Sequence, residues 1–514
     1  MSNLAVSTDA STVSAPAKKR IVLKIACLAC LFITTALCFA ALWYNKNYTD
    51  TGFEAILLTL FGNVDAAQPG LVQSCLLFTL IPSFLLTAVC GICFFVKPKK
   101  KFGFFPLRGR IVSIISLALS LVFFLTATLS TGFWQFVVNS TKNSLIFTQE
   151  YVDPVSVKIK FPEAKRNLIY IYLESMETTF FSKEQGGALE HNAIPELYNI
   201  AKHNINFSHN EDVGGFKTPS GTTWTIAALT AQTAGIPLKA PDMFKRNHYG
   251  KDSFLPGVTT LTNILKGNGY YQALMFGSDA VFAHRDVYFN THGMDKIYDY
   301  NTAIEDGLIP EDYFVWWGME DMYLYEYAKR KLPEIAKQEQ PFAFTMLTVD
   351  THHIAGYKCG LCRDKHIEQY DNVYSCASRQ LSGFLNWLKR QSFYKDTTVI
   401  ICGDHTTMDS DYIDRNVDPE YEQHVYNAII NSGATYDVEN YKNRAFCGMD
   451  MFPTTLAALG CDIPGNRLGL GTNLFSARPT LIESMGYEEF NRQISRKSDF
   501  YLNNFIGDYT PEEE

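Results

Sequence analysis

Three apolar runs in the sequence are each followed by residues with carboxylate or imidazole side chains. The runs, with the residues that follow them, are 168–173 with Glu174, 342–349 with His352 and His353, and 397–401 with Asp404 and His405. In open α/β sheets, ligands bind beyond the carboxyl ends of the strands, so these side chains could share one site. Each residue alone is typical of an ordinary turn. Taken together, carboxylates and imidazoles at one sheet edge favour a metal site.

A hydroxyl-rich segment could supply a nucleophile for such a site. Residues 214–224 contain glycines, serines and threonines, and they lead into an apolar helical run at 225–234. The free N–H groups at a helix N-terminus suit a phosphate. A Thr or Ser there could attack phosphorus if a metal lowered the pKa of its hydroxyl. The same residues could simply cap the helix, and the segment alone leaves both interpretations open.

The region that must position these groups alternates short β-rich runs with helical stretches. This pattern is typical of an α/β domain with a mostly parallel sheet. The predicted strands are 168–173, 271–275, 342–349 and 397–401. The predicted helices are 223–234, 261–268, 321–332, 373–391, 451–459 and 487–501. We therefore expect one large α/β domain at 167–514, preceded by a linker at 139–166.

Three segments near the N-terminus are long and apolar enough to span a membrane. They are 25–44, 71–96 and 111–138, and none contains a charged residue. A membrane helix needs about 20 predominantly apolar residues. The first segment could instead be a cleaved signal peptide, but two further spans favour retained anchors. The apolar run 55–61 is too short to span and is interpreted as interfacial.

The flanking cations predict how these segments are oriented. Cations cluster before the first span and between the second and third, at Lys18, Lys19, Arg20, Lys97, Lys99, Lys100, Lys101, Arg108 and Arg110. Because Lys and Arg favour the cytoplasmic side, residues 1–24 should be cytoplasmic and 25–138 should form a membrane domain. Everything after Val138 would then lie outside.

The overall composition excludes several classes of protein. The chain has 514 residues, of which 47% are hydrophobic and 19% charged. These values rule out a disordered or fibrous chain. The formal net charge of −8 gives no general basic surface, so nucleic acid is not an expected partner.

Five motifs, in this order, resemble the alkaline phosphatase superfamily. They are Leu173-Glu174-Ser175, Lys217-Thr218, Phe282-Ala283-His284-Arg285-Asp286, Thr351-His352 and Gly403-Asp404-His405. Within the superfamily, the chain is similar to the membrane-anchored, sulfatase-like branch of phosphoglycerol transferases and lipoteichoic acid synthases. The run 221–238 is most similar to the phosphoglycerol transferases that decorate periplasmic glucans. The resemblance implies an α/β/α sandwich with a mostly parallel sheet.

The resemblance also implies roles for individual residues. Four of them would bind one divalent metal ion, namely Glu174, Thr218, Asp404 and His405. Mn²⁺ is the expected ion, with Mg²⁺ and Zn²⁺ as alternatives. Thr218 would also be the nucleophile, and His352 would contact the transferred phosphate and assist catalysis. The implied substrate-binding residues are Arg285, His352 and His284, with Arg285 holding the phosphoglycerol head.

The implied activity is transfer of phosphoglycerol from phosphatidylglycerol, through a phospho-threonine, with release of diacylglycerol. The acceptor would be a hydroxyl of a periplasmic glucan or another glycan or glycerol-containing envelope polymer. The enzyme would be a multi-pass protein of the cytoplasmic membrane with its catalytic domain facing the periplasm or outside. Two alternatives stay open: a phosphoethanolamine transferase acting on lipid A or glycan, and a non-catalytic membrane-anchored sensor or scaffold. A sulfatase is disfavoured, because no Cys-x-Pro-x-Arg sequence occurs near Thr218.

Six cysteines lie in the expected outside domain, namely Cys359, Cys362, Cys376, Cys402, Cys447 and Cys461. The Cys-Gly-Leu-Cys sequence at 359–362 resembles a redox or zinc half-motif, but no second pair at zinc spacing follows it. In an oxidising compartment, a disulfide within Cys359, Cys362 and Cys376 is favoured over zinc. The pairing among Cys359, Cys362, Cys376, Cys447 and Cys461 stays open.

The aromatic run 314–317 also has two interpretations. It could line a lipid-facing mouth of the site or pack in the core, and core packing is the commoner role of such a run.

Overall fold

The computed structural model describes residues 15–48, 52–61, 69–95, 108–239, 253–434 and 441–506. The chain divides into two compact units. One comprises Met1–Lys46 with Pro69–Trp134, and the other comprises Asn47–Gln68 with Gln135–Glu514.

The first unit is built from long apolar helices. Among the described residues, three helices are long and apolar enough to cross a membrane: α1 (Ala15–Asn47), α3 (Pro69–Phe95) and α4 (Arg108–Ser130). A shorter helix, α2 (Gly52–Phe61), lies between the first two in sequence and belongs to the second unit.

The third long helix is shorter than predicted. It ends at Ser130, and a separate helix, α5 (Phe133–Thr141), follows a turn in which Gly132 has φ +70°. Only glycine adopts this left-handed conformation without strain, so the predicted end at Val138 falls in the next helix. The predicted end of the second span at Val96 lies outside the described residues.

The second unit contains the predicted mostly parallel sheet. Within the described residues, seven strands form it in the order β2-β7-β6-β1-β5-β3-β4. Their bounds are β1 Asn167–Leu173, β2 Gly215–Phe216, β3 Tyr271–Phe276, β4 Lys296–Tyr298, β5 Phe342–Leu347, β6 Thr397–Gly403 and β7 Val425–Ile430. Strands β6, β1, β5, β3 and β4 run parallel, whereas β7 is antiparallel to β6 and to β2. A separate antiparallel pair joins β8 (Arg467–Leu468) to β9 (Gly471–Thr472).

Helices cover both faces of this sheet. Their bounds are α6 Ile146–Glu150, α7 Pro195–His203, α8 Thr225–Ala234, α9 Leu261–Gly267, α10 Arg285–Thr291, α11 Tyr300–Glu305, α12 Asp321–Ile335, α13 Gln369–Leu388, α14 Ser410–Asn416, α15 Met451–Ala458, α16 Leu481–Met485, α17 Tyr487–Ser495 and α18 Asp499–Tyr501. Side chains of α8, α9, α10 and α15 share one apolar core with alternate residues of β1, and those of α7, α12 and α13 share the other. The α/β/α arrangement expected from the sequence is confirmed.

Strands β2, β4 and β7 were not predicted, and β7 is the longest of them. Strand β7 contains Asn427, which interrupts its apolar pattern although the residue is fully buried. The side chain of Asn427 donates to the carbonyl of Phe207 at 2.8 Å and accepts from the Phe207 N–H at 3.0 Å. The hydrogen bonds of this buried polar side chain are therefore made with a neighbouring loop. A prediction based on hydrophobic periodicity does not detect a strand that contains such a residue.

The backbone leaves no room for a side chain immediately before Asp404. A Cβ on Gly403 would lie 2.0 Å from the Met176 carbonyl oxygen and 2.6 Å from a methyl group of Val425. We therefore expect Gly403→Ala to lower the free energy of unfolding by about 1–3 kcal/mol through overpacking. The measurement is thermal unfolding of the detergent-solubilised full-length protein.

A matched control lies on the exposed side of α13. A Cβ on Gly383 would meet no atom within 4 Å, so Gly383→Ala should raise stability by about 0.5–1 kcal/mol through helix propensity. Wild-type stability of Gly403→Ala would contradict the packing described for this strand end.

Candidate active site

The pairing of β1 with β6 brings the predicted acidic and imidazole groups together. Leu173 pairs with Gly403 in the parallel register, so the residues that follow them lie side by side at the carboxyl edge of the sheet. The Asp404 N–H donates to the Leu173 carbonyl at 3.2 Å, which extends the ladder by one step. Ligand atoms of Glu174, Asp404 and His405 all lie within 4.8 Å of one another.

Backbone and hydroxyl donors hold one oxygen of each carboxylate. The Ser175 hydroxyl donates to Glu174 Oε1 at 2.8 Å. Asp404 Oδ1 accepts from the N–H groups of Ser175 at 2.7 Å and His405 at 2.8 Å. These bonds fix the orientation of both carboxylates. Asp404 Oδ2 is buried and has no hydrogen-bond partner among the described residues.

The His405 ring is held in one tautomer. Its Nδ1 lies 2.8 Å from the Thr406 carbonyl oxygen, which can only accept, so Nδ1 carries the proton. The lone pair of Nε2 then faces the carboxylates, 3.4 Å from Asp404 Oδ2 and 3.6 Å from Glu174 Oε1. A backbone carbonyl that orients an imidazole in this way is a common support for metal-binding histidines.

This set of electron-rich atoms fits a divalent cation. Glu174, Asp404 and His405 are all buried. Burial, together with the nearby charge of Asp404, raises the pKa of Glu174 well above its usual value. A cation between the two carboxylates would offset both their mutual repulsion and the cost of desolvating them. Two carboxylates and an imidazole suit Mn²⁺, Mg²⁺ or Zn²⁺.

The hydroxyl beside these groups belongs to Thr225, the first residue of α8. Its Oγ1 lies 3.5 Å from both Glu174 Oε2 and His405 Nε2. The residue before it, Trp224, provides no side-chain cap, so the first N–H groups of the helix are not used by a capping side chain. A hydroxyl and a helix N-terminus therefore meet at the acidic cluster, as a phosphate site requires.

Thr218, the predicted nucleophile and metal ligand, is placed differently. It lies in the loop between β2 and α8, where its carbonyl accepts from the Tyr487 hydroxyl at 3.5 Å. Among the described residues, Thr218 makes no hydrogen bond to Glu174, Asp404 or His405. The predicted position of the nucleophile is therefore not the one beside the cluster. Helix α8 begins seven residues after Thr218, and its first residue, Thr225, is the threonine that lies there. The sequence signal for Thr225 was its place at the start of the apolar helical run.

Arg285 is buried near Glu174 in a cradle of backbone and aromatic groups. Its Nε donates to the Phe282 carbonyl at 3.0 Å, and Nη2 donates to Ser278 Oγ at 2.9 Å. The guanidinium carbon lies 4.4 Å from the centre of the Phe276 ring. Burial lowers the pKa of Arg285 to about 10, although the charge of Glu174 acts against this. The side chain therefore stays cationic at neutral pH.

His352 lies in an aromatic group beside the acidic cluster. Its ring centre is 4.7 Å from that of Trp317, which in turn is 5.0 Å from that of Phe282. Its Nδ1 donates to the His353 carbonyl at 2.7 Å, so Nε2 carries the lone pair. Burial lowers the pKa of His352 to about 4, and the imidazole is neutral at pH 7. Trp317 belongs to the run 314–317, for which lining the mouth of the site was the less favoured of two interpretations. Phe282 belongs to the motif at 282–286, but no role was assigned to it.

The two remaining histidines occupy different surroundings. His353 is buried, neither ring nitrogen has a hydrogen-bond partner among the described residues, and its ring centre lies 4.7 Å from that of Tyr48. His284, a predicted substrate-binding residue, precedes α10 in a left-handed conformation with φ 56°. This turn places it directly before Arg285.

The profile of the sulfatase family matches residues 166–461, more than half of the chain. Phosphoglycerol transferase I of Escherichia coli (strain 55989 / EAEC) is 30% identical over 342 residues, which are 65% of this chain and 41% of that protein. The protein of the same name from Shigella boydii serotype 18 gives the same identity and coverage. The match thus spans about two fifths of the length of these curated relatives.

Solved structures give weaker matches. A protein of the alkaline phosphatase superfamily from Vibrio parahaemolyticus matches with a TM-score of 0.47 and 20% identity, over 65% of this chain and 77% of that one. Lipoteichoic acid synthase LtaP from Listeria monocytogenes gives 0.46 and 22%, over 62% and 79%. Lipooligosaccharide phosphoethanolamine transferase A from Neisseria meningitidis gives 0.47 and 14%, over 85% and 84%. The family assignment rests on the sequence match.

Removing one carboxylate should weaken metal binding. We expect Glu174→Gln to reduce affinity for Mn²⁺ on the order of a hundredfold, because the variant loses an anionic ligand but keeps the shape of the side chain. The measurement is the manganese content of the full-length protein after incubation with Mn²⁺ and dialysis.

Glu177→Gln is the matched control. Glu177 is equally buried three residues away, burial raises its pKa to about 8, and its carboxylate accepts from Thr179 and Gln423 rather than joining the acidic cluster. This variant should bind manganese as the wild type does. Equal manganese in Glu174→Gln and wild type would refute the assignment of Glu174.

Proposed function

Because the chain belongs to the sulfatase family, we propose that it is a metal-dependent phosphotransferase that moves phosphoglycerol from phosphatidylglycerol to an acceptor hydroxyl. The observation that carries this proposal is the Thr225 hydroxyl, 3.5 Å from both Glu174 and His405 at the start of α8. A hydroxyl nucleophile, a helix N-terminus and a cluster of metal ligands are the parts that phosphoryl transfer through an enzyme-bound intermediate requires.

Glu174, Asp404 and His405 would hold the metal ion, and the Thr225 hydroxyl would complete their set. When bound, the cation would lower the pKa of that hydroxyl and offset charge on the phosphate oxygens. Mn²⁺ is the proposed ion, with Mg²⁺ and Zn²⁺ as alternatives for the same donors.

The reaction would proceed in two displacements. In the first, Thr225 Oγ1 forms a bond to phosphorus while the bond from phosphorus to the diacylglycerol oxygen breaks. The proton lost by Thr225 is matched by one gained by diacylglycerol. In the second, an acceptor hydroxyl forms the bond to phosphorus, its proton is released, and Thr225 leaves and regains a proton. The acceptor ends with the phosphoglycerol group.

Three elements of the chain would bind the phosphate and move the proton. The first N–H groups of α8 would donate to its oxygens, next to the attacking hydroxyl. Nη1 of Arg285 has no hydrogen-bond partner among the described residues and would donate to the phosphoglycerol head. Nε2 of the neutral His352 would accept the proton of the acceptor hydroxyl.

A lipid donor suits a catalytic unit that follows membrane helices. Three helices of the described chain can cross a membrane, and they would hold the site near the head groups of the bilayer. The name of the relatives, phosphoglycerol transferase I, supports the choice of the transferred group. The acceptor is proposed to be a glycan or glycerol-containing polymer of the envelope.

Substituting the two threonines separates the competing nucleophiles. Thr225→Ala removes the attacking oxygen, so diacylglycerol release from vesicles containing phosphatidylglycerol should fall by at least roughly a thousandfold. Thr225→Ser keeps the oxygen and should retain measurable turnover, reduced by looser positioning. Thr218→Ala, in the loop before α8, should retain most of the activity.

These variants are informative only when their thermal midpoints match that of the wild type. Near-wild-type lipid cleavage by Thr225→Ala would end the proposal for this residue. Loss of cleavage in Thr218→Ala alone would restore Thr218 as the nucleophile. Release from phosphatidylethanolamine but not from phosphatidylglycerol would reassign the donor.

The proposed topology has its own test. The catalytic unit should lie outside and the loop between the second and third spans inside, because the cation clusters fall on the opposite side from the residues after Val138. Reporter fusions ending at Lys142 and at Phe102 should therefore report opposite compartments. The same compartment for both would refute the three-span orientation.

A further inference from the structure

Three cysteines form a compact cluster outside the proposed active site. Cys359 and Cys362 lie in the loop that follows His352 and His353, and Cys376 lies on α13. Cys359 Sγ is 3.7 Å from Cys362 Sγ and 3.8 Å from Cys376 Sγ. All three sulfur atoms lie within 4.8 Å of one another, and all three thiols are free.

These separations fit ligands around one metal ion. A disulfide needs sulfur atoms about 2.05 Å apart. Thiolates bound to Zn²⁺ at about 2.3 Å in a tetrahedral arrangement lie about 3.8 Å from each other. The Sγ–Sγ distances of 3.7 and 3.8 Å agree with the second value. The favoured disulfide would also leave one of the three cysteines unpaired, whereas one metal ion uses all of them.

The local structure supports the cluster as a site. The Cys362 N–H donates to the Cys359 carbonyl at 3.1 Å, which closes the turn between the first two sulfur atoms. The Gln380 side-chain amide lies 3.8 Å from Cys359 Sγ and 3.6 Å from Cys376 Sγ, where it can donate to thiolates. Cys359 and Cys376 are buried and Cys362 is partly exposed, so water has access to the cluster.

The charges around the cluster also favour a cation. The buried carboxylates of Asp321 and Asp350 interact electrostatically with Cys359. Each has one oxygen, Oδ2, without a hydrogen-bond partner among the described residues. A bound cation would stabilise these negative groups.

We infer that Cys359, Cys362 and Cys376 form a thiolate site for one Zn²⁺ ion, separate from the site at Glu174. Binding releases the thiol protons, and water takes the fourth ligand position. The ion ties the loop carrying His352 to α13, so its role is to hold this loop. Thiolates favour soft ions such as Zn²⁺ over Mn²⁺, whereas the oxygen-rich active site accepts both.

The test measures zinc in the full-length protein purified without reductant. After incubation with zinc chloride and dialysis, Cys359→Ser and Cys376→Ser should each hold one equivalent less than the wild type. Cys461→Ser, a buried cysteine outside the cluster, should match the wild type. His191, His366 and Asp371 form a second group that could hold a metal ion. Zinc lost from His191→Ala but not from the cysteine variants would overturn the assignment.

A second measurement does not depend on the folding of variants. Alkylation of the native protein followed by peptide mass spectrometry should leave Cys359, Cys362 and Cys376 protected, and a chelator should expose all three. In cobalt-loaded protein, a sulfur-to-cobalt charge-transfer band should appear and should persist in Glu174→Gln. A disulfide between any two of the three, or labelling that a chelator does not change, would overturn the proposal.

Discussion

Two carboxylates buried side by side are unstable in their ionised form unless a positive charge lies close to both. Glu174 and Asp404 are in this position, and Nε2 of His405 lies 3.6 Å from Glu174 Oε1 and 3.4 Å from Asp404 Oδ2. Arg285 is near enough to interact with Glu174, but it donates to Ser278 and to backbone carbonyls. A bound cation would relieve this repulsion, and the surrounding structure positions the side chains that would hold it.

The frame is the parallel pairing of β1 and β6. Both strands end at the same edge, and the absence of a side chain at Gly403 lets the Met176 carbonyl approach closely. Helix α8 is held against the end of β6 by Gln232, near the C-terminal end of the helix, which donates to the Gly403 carbonyl at 3.0 Å. The hydroxyl of Thr225, the helix N-terminus and the acidic cluster meet because one helix and two strand ends converge.

The acidic part of this site could be predicted because the sequence shows where the strands end. Apolar runs followed by Glu174 and by Asp404 indicate both the strands and the edge where their side chains meet. The threonine could not be fixed in the same way. Motif resemblance selected Thr218, and the predicted helix began at residue 223, so only the path of the backbone decides that Thr225 reaches the cluster. Strand β7 was not predicted because Asn427 interrupts its apolar pattern. The hydrogen bonds that allow Asn427 to be buried come from a distant part of the chain and are not visible in the local sequence.

The central claim is that Thr225 carries the transferred group, and the most direct test is to find that group on the protein. The full-length enzyme would be mixed with phosphatidylglycerol without an acceptor, quenched in acid, digested and analysed by peptide mass spectrometry with fragmentation. The account predicts the mass of one phosphoglycerol group on Thr225, and no such adduct on Thr218. An adduct on Thr218, or diacylglycerol release at the wild-type rate with no adduct on the protein, would contradict it.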